Sequence, residues 1–175
     1  MNLIHRAAAF SITALTLCAA PAKAEMWLSA GAAPDADGGG TSLAIGGRGT
    51  GNWGFELGIV FNSQFTKDLL DYPVPHNSYV NLGTKRTGNS LGLDALYFFN
   101  TDAKFSPYAG IGIYASPRKE IAQSTVTGWY YTQSDQTAAL VGVSVGIKMA
   151  TDNGYSFGIG YHSIRGTGIS VGKVF

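Results

Sequence analysis

The sequence predicts an all-β fold, a transmembrane antiparallel up-and-down β-barrel of eight strands, and three observations carry that prediction. Apolar residues recur with period two along nearly the whole chain, the signature of strands and not of helices. The opposite face is mostly Gly, Ser and Ala, which suits the crowded inside of a narrow barrel and not a sheet meeting water. Every second link between strands is a tight turn, the alternation of short periplasmic turns with longer outer loops.

The elements follow in order. "MNLIHR" carries Arg6, the apolar run Ala7 to Ala20 follows, and "PAKAE" places small residues at Ala22 and Ala24. This pattern predicts a secretory signal peptide over residues 1–24, cut between Ala24 and Glu25, and the run is short for a spanning helix. Cys18 follows Leu17 where a lipoprotein signal needs a small residue, so it is read as part of the leader. It is the one cysteine, which leaves residues 25–175 without a disulfide or thiolate metal site. Loss of Arg6 and Lys23 from twelve Lys and Arg leaves ten against eleven Asp and Glu, so no basic field exists for nucleic acid.

Two short strands open the domain, Met26 to Ala33 and Thr41 to Arg48. "WGFELGIVF" then sets Trp53, Phe55, Leu57, Ile59 and Phe61 on one face. "SLGLDALYFF" sets Leu91, Leu93, Ala95, Tyr97 and Phe99 opposite Gly92, Asp94, Leu96 and Phe98. "FSPYAGIGIYA", "AALVGVSVGIKM" and "YSFGIGYH" continue the alternation, and "TGISVGKVF" makes the eighth strand. Eight is even, as closed bacterial barrels require. With the small face inside, the large apolar face looks outward, and lipid is the surrounding that favours it.

The links run short (Pro34 to Gly40), tight ("GTGN"), long (Ser63 to Gly88), tight ("NTDAK"), long (Ser116 to Asp135), tight ("ATDNG") and short ("SIRGT"). Both termini are therefore expected in the periplasm. Trp53, Tyr97, Phe99, Phe105, Tyr155 and Phe175 gather at the turn ends as one interfacial girdle, with Phe61 and Tyr161 at the other rim.

The signal peptide, the eight alternating strands and the ending "GYHSIRGTGISVGKVF" with Phe175 last resemble the small outer-membrane barrels of the OmpA, OmpX and Opa type, the porin-family β-barrel domains. The resemblance implies residence in the cell outer membrane among lipid and lipopolysaccharide. It also implies insertion by the barrel-assembly machinery with periplasmic chaperones, for which Phe175 would be the C-terminal signal. Lys173 departs from that pattern, which commonly has an aromatic there; a lysine near the interface can snorkel to water.

Five ionisable residues fall on the inward face: Arg48, Glu56, Asp94, Lys148 and His162. They are expected to form a lumen ion-pair network, since isolated buried charge is costly, and similar networks plug barrels of the resembled family. Arg48, Glu56 and Lys148 are placed in the periplasmic half and Asp94 near mid-height. The alternative is a narrow pore, with cavities left by Gly110, Gly112, Gly142, Gly146, Gly158 and Gly160.

Eight-stranded outer-membrane lipid A deacylases use His and Ser two positions apart, sharing a face; His162 and Ser163 are adjacent and point to opposite sides. His76 and His5 have no partner motif, and no spacing suits a metal. Neither a catalytic residue nor a cofactor is expected.

The long loops remain. Leu69, Leu70, Tyr72 and Tyr79 are expected to pack as a cap over the barrel mouth, and residues 121–126 to extend strands beyond the membrane as a hairpin. Tyr72, Trp129, Tyr130 and Tyr131 form either a recognition surface or interfacial anchors against lipopolysaccharide, whose phosphates Arg118 and Lys119 would contact. The expected function is non-enzymatic, envelope structure or surface interaction through these loops; a lipid A or phospholipid-modifying enzyme is the alternative from another class. A soluble ligand-holding barrel would turn its apolar face inward.

Overall fold

The computed structural model describes residues 24–33, 40–61 and 63–175. The predicted leader up to residue 23, Cys18 included, and nearly all of the first outer link lie outside the described residues. The strands are β1 (Glu25–Ala33), β2 (Gly40–Arg48), β3 (Trp53–Phe61), β4 (Leu69–Leu70), β5 (Tyr79–Arg86), β6 (Ser90–Phe98), β7 (Phe105–Ser124), β8 (Tyr130–Ala150), β9 (Tyr155–His162) and β10 (Gly166–Val174).

Eight of them, all but β4 and β5, close into a barrel. Each pairs antiparallel with its neighbour in sequence order, and β1 closes the ring by pairing with both β2 and β10: Trp27 lies opposite Gly46 on one side and Gly172 on the other. No sheet edge is left in the wall, as a structure without water to satisfy its backbone requires.

Strand length fits the membrane. Nine residues span about 30 Å of strand, or about 23 Å of height at a tilt near 40°. β7 and β8, at 20 and 21 residues, run far past that height and form the extracellular hairpin expected from their alternation.

The outward residues are apolar and exposed around the wall, among them Leu28, Leu43, Phe55, Leu57, Leu93, Ile111, Val143, Ile159 and Val171. This belt sheds water only in lipid. At its periplasmic edge Trp53, Tyr97 and Phe99 form an edge-to-face chain, each adjacent ring pair 5.1 Å apart.

The inward face differs from the expectation of a lining of small residues with scattered charges. A few large side chains fill it in layers. Trp27, Leu96 and Phe98 pack with Tyr108; Val60, Tyr114 and Ala33 pack with Leu140 and Ile164. Glycines on adjacent strands are the sockets for these groups. A Cβ at Gly92 would strike the Tyr114 ring, one at Gly146 or Gly160 the Tyr108 hydroxyl end, and one at Gly112 the Asp94 carboxylate. The glycines expected to leave cavities are therefore occupied space, which interdigitation at protein density demands.

The long second loop does not form a cap from Leu69, Leu70, Tyr72 and Tyr79. Leu69 and Leu70 add to the β8 edge as β4, beside Tyr130 and Tyr131, while Tyr79 opens β5, which pairs with β7. The extracellular hairpin thereby becomes a four-stranded sheet in the order β4-β8-β7-β5. An isolated two-stranded hairpin is marginal in water, and added strands stabilise it.

Candidate functional site

Two regions gather chemistry-bearing side chains: the lumen and the extracellular sheet.

In the lumen, β1 delivers Glu25 to the periplasmic end. Its Oε1 accepts from Lys148 Nζ at 3.0 Å and Ser156 Oγ at 2.6 Å, and its Oε2 accepts from Arg48 Nε at 2.8 Å. Lys148 Nζ also sits 3.0 Å from the Trp27 ring centroid, and the Arg48 guanidinium lies 4.8 Å above Phe98, cation–π contacts that favour charge next to an aromatic layer.

A second cluster lies deeper. Glu56 accepts from Trp27 Nε1 at 2.5 Å and is ion-paired to Arg165. Arg165 Nη2 lies 3.2 Å from Asp94 Oδ2, which also accepts from the Tyr114 hydroxyl at 2.5 Å. His162 Nε2 lies 2.8 Å from Asp94 Oδ1. His162 Nδ1 accepts from the backbone N–H groups of Ile164 and Arg165, so the proton of the neutral ring sits on Nε2 and is donated to Asp94.

The five sequence-predicted residues are thus divided between two clusters. Arg48 and Lys148 surround Glu25, whereas Glu56 pairs with Arg165 beside Asp94, directly opposite it across β3 and β6. Trp27 bridges the clusters with its indole N–H on one and its ring on the other.

Glu25 and Arg165 were missed by sequence reasoning. Glu25 shares alternation with Trp27 and Ser29 on β1, a signal available in the sequence. Arg165 sits in the tight turn before β10 and is turned inward there by Gly166, whose φ of 79° is left-handed and whose missing Cβ would collide with the Ala32 carbonyl oxygen. With these two residues the lumen clusters hold, among the described residues, three carboxylates and three full cations.

A polar cavity of about 40 Å³ lies among Ser29, Ser42, Glu56, Ser144, His162 and Arg165, large enough for ordered water.

Neither histidine–serine pair in the described residues is arranged for nucleophilic attack. Ser163 Oγ accepts from the Val143 N–H outside the wall, away from His162. Tertiary contact does give His76 a serine: its Nε2 lies 3.1 Å from Ser124 Oγ. His76 Nδ1 accepts from the Ser78 N–H, so the neutral ring donates through Nε2, and Ser124 Oγ already accepts from the N–H groups of Val126 and Thr127. A base must take a proton from the serine, and this ring is set to give one.

On the extracellular sheet the predicted aromatics part company. Trp129, at 59% exposure, and Tyr72, at 51%, are open to solvent, while Tyr131 is 4% exposed, packed edge-to-face against Tyr72 at 5.6 Å. Tyr131 therefore supports the surface and does not form it. Tyr130 is half-buried between Phe65, at 5.2 Å, and Lys67 Nζ, 4.7 Å over its ring and 2.6 Å from its hydroxyl. Lys67, Asp68, Leu70, Gly128, Trp129 and Tyr130 line a groove of about 480 Å³. The loop is fastened by Asp71, whose Oδ1 accepts from Lys119 Nζ at 2.6 Å and Thr132 Oγ1 at 3.3 Å. The Lys119 hydrogen bond and charge hold the Asp71 carboxyl below its ordinary value of 3.8.

No curated protein sequence matches the chain. Among solved structures it is similar to neisserial surface protein A, at 18% identity over 87% of this chain and 92% of that one, with a TM-score of 0.43. It is similar also to the N-terminal β-barrel domain of Pseudomonas aeruginosa OprF, at 15% identity over 86% and 97%, TM-score 0.49. The attachment invasion locus protein Ail of Yersinia pestis, solved with the heparin analogue sucrose octasulfate, is 9% identical over 89% and 96%, TM-score 0.43. The sequence pattern of the Opacity family porin proteins matches residues 56–173, well over half of the chain, and with the closed, lipid-belted barrel around those residues the protein belongs to that outer-membrane family.

Proposed function

We propose that the protein is a non-catalytic outer-membrane barrel whose role is recognition at the cell surface through the groove beside Trp129. The observation that carries this reading is a large ring, more than half exposed, held by a four-stranded sheet well outside the membrane and bordered by Lys67, Asp68 and Tyr130. An open indole is costly to leave in water on a rigid element, and such rings are typical anchors of interfaces. Tyr72 extends the same surface. The lumen clusters act in this reading as a structural plug, and Phe175, 65% exposed in the periplasmic girdle, as the contact for the assembly machinery. Contact of the outer rim with lipopolysaccharide belongs to the same proposal.

An enzymatic role is disfavoured because both ring nitrogens of His162 are engaged and Ser163 is on the other side of the wall. The test is capture of the folded protein, in detergent micelles, on a panel of immobilised saccharides and extracellular-matrix proteins. Binding that Trp129→Ala abolishes and that Phe55→Ala, in the lipid belt, preserves is the expected result. A panel with no Trp129-dependent binder, or lipid A acylation that changes in cells carrying His162→Ala, would sink the proposal.

A further inference from the structure

Two rows of cations cross the base of the extracellular sheet where β5 meets β7. Lys85 lies directly opposite Lys119, and Arg86 directly opposite Arg118. Like charges facing each other across strands are destabilising unless something offsets them. The lysine row has its offset, since Asp71 accepts from Lys119. The arginine row is different.

Arg118 is two residues beyond Ser116 and four beyond Tyr114 on an unbroken stretch of β7, both of them buried on the lumen side. Arg86 and Gln136, its partners on β5 and β8, share that face. All three stand at the extracellular mouth, one step above the fully buried Ser90–Ser116 hydroxyl pair at 3.1 Å. Arg86 Nε and Nη1 and Arg118 Nε are buried atoms with no hydrogen-bond partner. Among the described residues no carboxylate is ion-paired to either guanidinium. The carboxylate on the same face, Glu120, is occupied by Asn81 Nδ2 at 2.7 Å and Ser134 Oγ at 3.4 Å. The lumen below behaves differently, pairing each of its cations with a carboxylate.

We propose that Arg86 and Arg118, side by side at the barrel mouth, form a binding site for a phosphate-type oxyanion, with Gln136 as an additional donor. Two forked guanidiniums match the geometry of a tetrahedral oxyanion and satisfy donors that the protein leaves unpaired. Both residues are half-buried, so the site is open from outside while the buried Ser90–Ser116 pair forms its floor. It is separate from the Trp129 groove, and it stands whether or not that groove recognises a ligand. The phosphate is supplied either as the free ion or by a lipid headgroup.

The experiment is titration of the folded chain, in a phosphate-free nonionic detergent at constant ionic strength, with inorganic phosphate, followed by ³¹P NMR. Saturable binding of one phosphate is expected, weakened at least tenfold in Arg86→Gln and in Arg118→Gln and severalfold in Arg118→Lys, which keeps the charge but loses the fork. Lys85→Gln removes an equal charge from the opposite face and is expected to leave affinity within twofold. Unheated gel mobility verifies that each variant is folded. Absence of saturable binding, or an equal loss in Lys85→Gln, overturns the site. Displacement of phosphate by short-chain phosphatidic acid supports the site with a lipid headgroup as its ligand; retention of phosphate supports it with the free ion.

Discussion

Glu25 is the residue on which the periplasmic half of the lumen turns. One carboxylate answers two cations and a serine, and each of these partners comes from a different strand. Removing one member of a buried ion pair strands the other, at a cost of about 3–5 kcal/mol. Glu25→Gln, which keeps the shape and can still meet Ser156, is therefore expected to lower the unfolding free energy, read by urea denaturation in lipid vesicles, by that order. Ser156→Ala, which removes a neutral donor only, is expected to cost about 1 kcal/mol. Equal midpoints for Glu25→Gln and the wild type would show that the cluster contributes nothing to stability. Glu25 was legible on the strand alternation, but at the predicted cleavage boundary it reads as a terminal residue and not as a lumen one. Arg165 was not legible at all, because its direction is set by the left-handed backbone of Gly166 and not by strand parity.

Strands matter as pairs, a glycine on one receiving a side chain from the next. Gly112 faces Asp94, which cannot move away because Tyr114, His162 and Arg165 hold it. Gly112→Ala is expected to cost about 1–3 kcal/mol by overpacking. Gly88→Ala, whose nearest foreign atom would be Pro117 Cγ at 3.4 Å, is expected to stay within about 0.5 kcal/mol; chemical denaturation of both reads the difference. The loop elements obey surface electrostatics instead. The Asp71 carboxyl is lowered in the folded loop by Lys119, so its fastening is fully present above the ordinary value of 3.8 and is lost as pH falls through the lowered value. Proteolysis of residues 66–77 by an acid-active protease is expected to accelerate over that acid range in the wild type and to be fast and nearly pH-independent in Asp71→Asn.

The whole molecule is a filled barrel carrying a sheet. Trp27, Phe98, Tyr108 and Tyr114 fill the bore between two ion-paired clusters, with a polar cavity of about 40 Å³ beside the deeper one. No stable conductance is expected in planar bilayers from the wild type, while the double substitution Tyr114→Ala with Arg165→Ala is expected to open a cation-preferring path past Glu56 and Asp94. A steady ohmic current through the wild-type protein would contradict the plug. The sheet above is independent of this closure, because its strands β4 and β5 pair only with the outer halves of β8 and β7.

Period-two alternation, the small-residue face and the alternating link lengths were enough for the number, order and outward face of the barrel strands, since a strand's two faces are set by local geometry and lipid accepts only one of them. The alternation also marked five lumen charges and the hairpin that outruns the membrane. Tertiary structure decided what meets across the ring. Closure of β1 onto β10 brought Glu25 to Lys148 and Ser156, residues more than a hundred positions away. The same closure assigned each glycine the ring or carboxylate that fills it. The second loop's division into two separate strands also came from tertiary structure, because a two-residue strand such as β4 carries no periodicity and takes its place only from the edge it meets.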